Sequence, residues 1–430
     1  MESKSSSNYR WYVVAMLWFI ALFNYADRQA IFSVFPLLEK EMGLGPVQLG
    51  LLGSSFALVY GLCAPFAGNL VDRISRKASI LWGLQVWSVI CVLTATARSF
   101  PSLLFFRAAE GLGETVYFPA SMSLISDYHG RRTRSRAIGF HQTSVYVGTI
   151  AGGFFAGLIG QYYGWRLSFV VFGGLGMLLG AILWKFLREP VRGGMDLADA
   201  GLAKTATTRK LRISEFLKTI WGSPSALLLM GAFMCDNFVG MVLLTWMPKF
   251  LYDKFSLSLA MAGLTATVFV QLASMFGSVV GGWLADILRR SKPGGRMLVQ
   301  AIGVFCGAPF VVLCGQTTSL TTLVIALTAW GFFKGMYDAN IFASLFDVIR
   351  PEARGTATGF MNMIGWLVGA GSAPIVIGLI AERESLSFGI SIAAVAYIGA
   401  GLLLTIAGLV TAPKDTSRVA AELRLESESA

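Results

Sequence analysis

Apolar residues run in stretches of about twenty along the whole chain, separated by short polar segments, and that length is what a helix needs to cross a bilayer. Twelve such spans can be drawn: 11–34, 49–70, 78–97, 101–126, 137–161, 166–187, 225–250, 261–285, 297–315, 319–346, 355–381 and 387–412. One connection, 188–222, is polar and longer than the others, and it holds Arg188, Arg192, Lys204, Arg209, Lys210, Arg212 and Lys218. The pattern predicts an all-α membrane protein with six spans in 1–187, a basic loop over 188–222, six more spans in 223–412 and a tail over 413–430. The first span contains Asn24, Asp27 and Arg28 before Val34. It lacks a compact apolar core followed by a small-residue cleavage site, so it is expected to stay as a helix and not to be removed as a signal peptide.

Composition excludes two or three soluble domains. Of the 430 residues, 55% are hydrophobic and 14% charged, with a mean hydropathy of +0.64; a soluble chain carries roughly 25% charged residues. The net charge of +11 would suggest nucleic acid in a soluble domain, but the basic residues lie between apolar runs and form no separate domain. No nucleic-acid partner is therefore expected. Cys63, Cys91, Cys235, Cys306 and Cys314 all fall within apolar runs, where they read as small hydrophobes and not as a disulfide or metal framework. No metal and no cofactor are expected.

The placement of basic residues predicts orientation. Segments on the side of the N-terminus hold 26 of the 35 Lys and Arg, the opposite side holds six, and Arg28, Arg107 and Lys334 lie inside spans. By the positive-inside rule both termini and the long loop face the cytoplasm, in a plasma or inner membrane.

The two halves repeat. Asp127-x6-Arg134-x2-Ala137-x-Gly139-Phe140 recurs as Asp347-x6-Arg354-x2-Ala357-x-Gly359-Phe360, offset by 220. Gly68-x3-Asp72 ahead of Arg76-Lys77 is echoed by Gly282-x3-Asp286 ahead of Arg289-Arg290, offset by 214. Asn24-Tyr25 and Pro36 find partners in Asn237-Phe238 and Pro248, at offsets of 213 and 212. Four matches at nearly one offset predict two parallel six-helix halves related by an axis along the membrane normal.

Several local motifs carry a family resemblance. Gly68-Asn-Leu-Val-Asp72-Arg73-Ile-Ser-Arg76-Lys77 resembles the loop signature between helices 2 and 3 of the major facilitator superfamily, with Ser75 where that signature usually has Gly. Arg107-x3-Gly111-x-Gly113 resembles its helix-4 motif. The resemblance covers essentially the whole chain and implies the major facilitator fold, two pseudo-symmetric halves of six helices. Within the superfamily, Asn24-Tyr25-Ala-Asp27-Arg28, Tyr60, Arg107 seven residues before Glu114, Phe118-Pro119-Ala120 and Gly164-Trp165-Arg166 resemble the anion:cation symporters. That family includes bacterial sugar-acid transporters and vesicular glutamate and sialic acid carriers. The Spinster-like lipid transporters share the Asp-Arg pair and the helix-4 Glu, and Leu124-Ile-Ser-Asp127 with Arg134-Ser-Arg136 stands closer to them. Gly148-Thr-Ile-Ala-Gly152-Gly153 lacks the helix-5 proline common in drug antiporters, which disfavours drug export.

Charges inside spans are few: Asp27, Arg28, Arg107, Glu110, Glu114, Asp236, Lys334 and Asp338. Each costs ~2.5–3.5 kcal/mol at a membrane helix centre on insertion scales, so each is expected to face a cavity or a partner. Asp27 and Arg28 diverge by about 100° around their helix. Arg107, Glu110 and Glu114, at i, i+3 and i+7, share one face. One reading makes these internal ion pairs that lock the first and fourth spans together. The other gives them chemistry. Arginine offers a planar fork matched to a carboxylate, which makes Arg28 and Arg107 candidates to bind an anion. A carboxyl in a low-dielectric cavity holds its proton more readily, so Glu114 and Asp27 are candidates to load and release one. In the sugar-acid symporters the equivalent two acids couple protons, and the resemblance implies the same here. It also implies cavity-lining roles for Tyr25, Tyr60 and Asn362. Asp72, Arg73 and Arg76 lie in a turn at helix ends and are expected to act as gate residues. His141 either packs or tunes the pH response. Lys334, opposite Glu114 at the offset of 220, is a candidate substrate ligand that either exchanges with Glu114 across the cavity or pairs with Asp338 one turn away.

These readings predict a monomeric secondary transporter in the lipid bilayer, taking a small organic anion, a sugar acid or other carboxylate, with protons by alternating access. A Spinster-like lysolipid carrier and a non-transporting sensor on the same scaffold remain alternatives. No nucleophile–base set or metal spacing points to an enzyme.

Overall fold

The computed structural model describes residues 4–130, 133–190 and 220–429, and of these the side chains of 4–7, 69, 72, 352 and 423–429 lie outside the description. Most of the basic loop expected over 188–222, with Arg192, Lys204, Arg209, Lys210, Arg212 and Lys218, therefore lies outside the described residues, as do Arg131 and Arg132. The regular structure among the described residues is helical. The first half holds α1 (Lys4–Ser33), the short α2 (Phe35–Met42), α3 (Pro46–Arg73), α4 (Arg76–Thr94), α5 (Phe100–Glu114), α6 (Tyr117–Tyr128), α7 (Arg134–Tyr163) and α8 (Trp165–Phe186). The second holds α9 (Pro224–Phe255), α10 (Leu259–Ser291), α11 (Gly295–Gln316), α12 (Leu320–Asp338), α13 (Ile341–Val348), α14 (Arg354–Ile364), α15 (Gly371–Arg383), α16 (Leu386–Ile392), α17 (Ala394–Ile406) and α18 (Ala412–Ser429).

These elements make twelve helical passes at the places the hydropathy pattern sets, with differences inside four of them. The fourth span is not one helix: it breaks between α5 and α6, where the Thr115 hydroxyl donates to the Gly111 carbonyl at 2.6 Å. The tenth breaks between α12 and α13, where the Asn340 amide donates to the carbonyls of Met336 and Gly281, both at 3.0 Å. Side-chain bonds of this kind compete with the helical ladder. The eleventh and twelfth spans contain wider turns, Gly365–Ala370 and Ala407–Thr411, and the twelfth also breaks at Ala393 between α16 and α17. Ten helical stretches among the described residues are long and apolar enough to cross a membrane. The two passes that fall short are α1 and α5–α6, which carry Asp27, Arg28, Arg107, Glu110 and Glu114. Their polarity is the cost of the charges they position.

The chain divides into two compact units, Met1–Thr207 with Met247–Thr267, and Thr208–Trp246 with Val268–Ala430. In the first unit, small residues let backbones approach closely, as in other membrane bundles. A Cβ on Gly152 of α7 would lie 2.2 Å from the Ala26 carbonyl of α1, and one on Gly111 of α5 would lie 2.7 Å from the Phe56 carbonyl of α3. The segment Met247–Thr267 packs against this unit at several points. Lys249 pairs with Glu39 of α2, and a Cβ on Gly157 of α7 would meet the Leu259 carbonyl at 2.4 Å. In the second unit α12 lies equally close to α10, with Gly335 against the Ser274 carbonyl.

The internal repeat is visible as repeated bonds, each within its own half. Arg134 Nη2 donates to the Ser126 carbonyl at 3.1 Å, and Arg354 Nη2 donates to the Phe346 carbonyl at 3.0 Å. Arg76 pairs with Asp127 in the first half, and Arg289 pairs with Asp347 at 2.7 Å in the second. Asp127 and Asp347 stand at the sequence offset of 220, as do Arg134 and Arg354.

Candidate functional site

The first half gathers five charged side chains out of water. Arg28, on α1, donates from Nε at 3.1 Å and from Nη2 at 2.5 Å to Glu114 Oε2 at the end of α5. Nη2 also reaches Asn24 Oδ1, one turn back, at 3.3 Å. The guanidinium lies 4.7 Å from the centroid of the Tyr25 ring, 4.7 Å from that of Phe56 and 5.2 Å from that of Tyr60. Arg107 pairs with Glu110 one turn along α5 and sits 5.1 Å from the same Phe56 ring. Phe56 thus faces both guanidiniums, and it stacks on Tyr60 at 5.9 Å. The close approach at Gly111 brings this face of α5 against α3.

Several of these groups keep unused hydrogen-bonding capacity. Arg107 is fully buried, and its Nε and Nη2 have no hydrogen-bond partner among the described residues. The same holds for Asp27 Oδ1, Glu110 Oε1 and Glu114 Oε1. Three acids stand beside two arginines, so one carboxylate is left over when the two ion pairs are counted. Asp27 is that residue.

Asp27, Cys91 and Glu110 each bring one ligand atom to within 4.8 Å of the others. Their chemistry does not suit a metal. Arg107 already neutralises Glu110, and Cys91 Sγ donates to the Phe169 carbonyl at 3.4 Å as a thiol, whereas a metal ligand must be the thiolate. An acid pair able to hold a proton fits these residues.

The other expected positions fall elsewhere. Lys334 pairs with Asp338 at i+4, the local alternative. Asn362 is half-buried in α14. Asp236 accepts a hydrogen bond from the Tyr397 hydroxyl at 3.0 Å. His141 is buried against Tyr117, its Nε2 lying 2.9 Å from the hydroxyl, which itself donates to the Leu17 carbonyl at 2.6 Å.

At the α3–α4 turn, buried Arg76 pairs with Asp127 and with Glu189 at 3.3 Å. Glu189 also accepts from the backbone N–H groups of Arg76 and Lys77, at 3.1 and 2.6 Å, and from the Ser75 hydroxyl at 2.8 Å. Arg73 is exposed, and the Asp72 side chain lies outside the described residues.

The family model of the Major Facilitator Superfamily matches residues 17–373 and 255–424. The chain belongs to that superfamily. It is a multi-pass integral membrane transporter and not an enzyme. Among the relatives it resembles, the hexuronate transporter of Bacillus subtilis (strain 168) is 26% identical over 404 residues, 92% of each chain. Protein spinster of Drosophila melanogaster is 28% identical over 386 residues, 87% of this chain and 62% of that one. The crystal structure of a bacterial homologue of the human lysosomal transporter Spinster, in an inward-facing and occupied conformation, superposes with a TM-score of 0.81. That likeness covers 95% of this chain and 98% of the other at 23% identity, and it speaks for the fold alone.

Seen as a superfamily member, the chain shows site residues that its sequence did not mark. Phe56 is one of 31 phenylalanines, and nothing local distinguishes it; only the packing of α3 on α1 and α5 places its ring between two arginines. Cys91 looks like any small hydrophobe of an apolar run. Glu189 follows the sixth span immediately, and an acid there among basic neighbours was the available signal.

Proposed function

We propose that this transporter moves a small organic anion, a sugar acid or another carboxylate, together with protons by alternating access. The observation that carries the reading is Arg107: a fully buried guanidinium whose Nε and Nη2 have no hydrogen-bond partner among the described residues. A carboxylate supplies two acceptors in the plane those donors define. Arg28 is the second anion ligand, held on Glu114 until a proton neutralises that acid. Tyr25 and Tyr60, against Arg28, take part in substrate binding in the first half, and Asn362 and Lys334 are the substrate-binding residues of the second. Asp27 and Glu114 carry protons. Asp72, Arg73 and Arg76 act at the gate, where Arg76 fastens the α3–α4 turn to Asp127 and Glu189. Both termini are cytoplasmic, by the bias of basic residues, and the protein works as a monomer. Similarity to the hexuronate transporter of Bacillus subtilis supports the substrate class.

The test is uptake by the purified protein in sealed proteoliposomes, acid outside, with a radiolabelled hexuronate beside a radiolabelled lysophospholipid. Hexuronate accumulation that a protonophore abolishes is the expected result. Movement of the lysophospholipid alone would favour the Spinster-like reading, which the similarity to Protein spinster brings.

A further inference from the structure

A second buried acid lies apart from the Arg28–Glu114 cluster. Asp236, in the middle of α9, is 3% exposed, and Tyr397 of α17, whose hydroxyl it accepts at 3.0 Å, is 0% exposed. Across from it, α12 presents Lys334, Tyr337 and Asp338. Gly240, one turn along α9 from Asp236, places the helix backbone against the Lys334 stem: a Cβ there would lie 3.5 Å from Lys334 Cε. Trp330, one turn before Lys334, packs its ring on Tyr397 with centroids 6.5 Å apart. Tyr337 is 0% exposed, lies within electrostatic reach of both Asp236 and Asp338, and its hydroxyl has no hydrogen-bond partner among the described residues.

The charge count in this cluster is two carboxylates to one ammonium. Lys334 makes its ion pair with Asp338, and that pair is the wetter part, with side chains 24% and 35% exposed. Asp236 is the dry member. A carboxylate buried this far, sharing the charge of Lys334 with Asp338, is costly, and a proton relieves that cost. The surrounding Trp330, Tyr337 and Tyr397 are buried to within 2% of fully, and the second carboxylate, Asp338, is already engaged by Lys334. Cys235, its chain neighbour on α9, is a further titratable group beside it among the described residues.

We propose that Asp236 is a proton-binding site of the second half, with the Tyr397 hydroxyl as its fixed hydrogen-bond donor and the Lys334–Asp338 pair as its charged surroundings. The proton adds to one carboxylate oxygen, and the other goes on accepting from Tyr397. The site exists whether or not substrate is an anion; its part in coupling rests on the proton-driven transport proposed above.

The experiment is an infrared pH titration of the full chain reconstituted in phosphatidylcholine–phosphatidylglycerol vesicles, with protons alone as the probe and no substrate added. Wild type is expected to show protonated-carboxyl stretching bands from buried acids. One of them is expected to vanish in Asp236→Asn, to shift in Tyr397→Phe and to persist in Asp27→Asn and Glu114→Gln. A spectrum that keeps every band in Asp236→Asn overturns the proposal. Should Asp236→Asn not fold, Tyr397→Phe decides: the band must move when its hydrogen bond is removed, and an unmoved set of bands overturns the proposal equally. Failure of the transport reading shows separately, as absence of pH-driven accumulation in wild type, and leaves the infrared result standing.

Discussion

Arg28 places two of its donors, Nε at 3.1 Å and Nη2 at 2.5 Å, on a single oxygen of Glu114. The other carboxylate oxygen, Oε1, is buried and has no hydrogen-bond partner among the described residues. The pair is therefore strong on one side and open on the other. On the proposed mechanism, a proton arriving on Glu114 would remove the charge that holds the guanidinium and make Arg28 available to an anion. The Glu114 carboxylate and the anion thus compete for Arg28, and a proton on Glu114 tips that competition toward the anion.

The Glu114→Gln variant tests that competition. Glutamine keeps the shape and a carbonyl acceptor but cannot titrate. It is expected to abolish accumulation of substrate driven by a pH difference and to leave substrate counterflow largely intact, because exchange need not move a proton. Accumulation against a gradient by Glu114→Gln would remove Glu114 from the coupling scheme.

The two arginines are tested by charge-conserving replacement. Lysine supplies a point charge without the fork, and it cannot satisfy two carboxylate oxygens in one plane. Arg28→Lys and Arg107→Lys are each expected to lose most transport, with KM raised at least tenfold. The Arg107 variant is the sharper case, since Nε and Nη2 of Arg107 have no hydrogen-bond partner among the described residues. Near-normal affinity in both variants would show that neither residue grips the substrate.

The hydropathy pattern and the repeat showed most of this architecture because both depend on features that recur at fixed spacing. Twelve apolar runs, the i, i+3, i+7 placement of Arg107, Glu110 and Glu114, and the offset of 220 linking Asp127 to Asp347 are each periodic. The ion pair of Arg107 with Glu110 follows directly from that spacing. The breaks at Thr115 and Asn340 did not show, because a single side-chain bond to a carbonyl leaves hydropathy unchanged. Nor did Phe56, whose role depends on which face of α3 meets α1 and α5. The Arg28–Glu114 bond lay between these cases: both residues stood out as charges in apolar spans, but their pairing needs the close approach of helices 86 residues apart in sequence.

Glu189 gives a prediction in pH. Partial burial pushes its carboxyl up, but the Lys77 N–H, the Ser75 hydroxyl and the N–H and guanidinium of Arg76 outweigh that and hold it below the usual range. A carboxyl with a depressed folded-state pKa stabilises the fold above its unfolded value, and the stabilisation is lost as pH falls through the folded value. Glu189→Gln is therefore expected to melt at a lower temperature than wild type at pH 7. The gap should close as pH drops below about 4, the ordinary range for glutamate. A gap that persists undiminished in acid would mean that the carboxylate charge is not what holds the α3–α4 turn.

Topology can be checked at two exposed positions. Gly222, ahead of α9, and Thr318, between α11 and α12, are both exposed, whereas their neighbours Ser223 and Thr317 are buried. Single cysteines at Gly222 and Thr318, in a background without the five native cysteines, are expected to react with an impermeant maleimide from opposite sides of a sealed vesicle. Labelling of both from one side would overturn the assigned orientation of α9–α11.

Phe56 supplies the last test, and it separates packing from electrostatics. Its buried ring lies 4.7 Å from the Arg28 guanidinium and 5.1 Å from that of Arg107. Two like charges converge there, and the negative face of the ring is attractive to both. Each such contact stabilises by about 0.5–2 kcal/mol, more when dry. Phe56→Leu removes the π face while roughly keeping an apolar volume, and Phe56→Tyr keeps the face and adds a hydroxyl. If the ring holds the arginines, the leucine variant melts well below the tyrosine variant, the deficit corresponding to about 1–2 kcal/mol for two weak contacts. Because the arginines would then lose their fixed positions, anion affinity should fall in the same order. Equal melting and equal affinity of the two variants would mean that Phe56 only fills space and that the guanidiniums are kept in place by their other partners, Glu110, Glu114 and Asn24 among them.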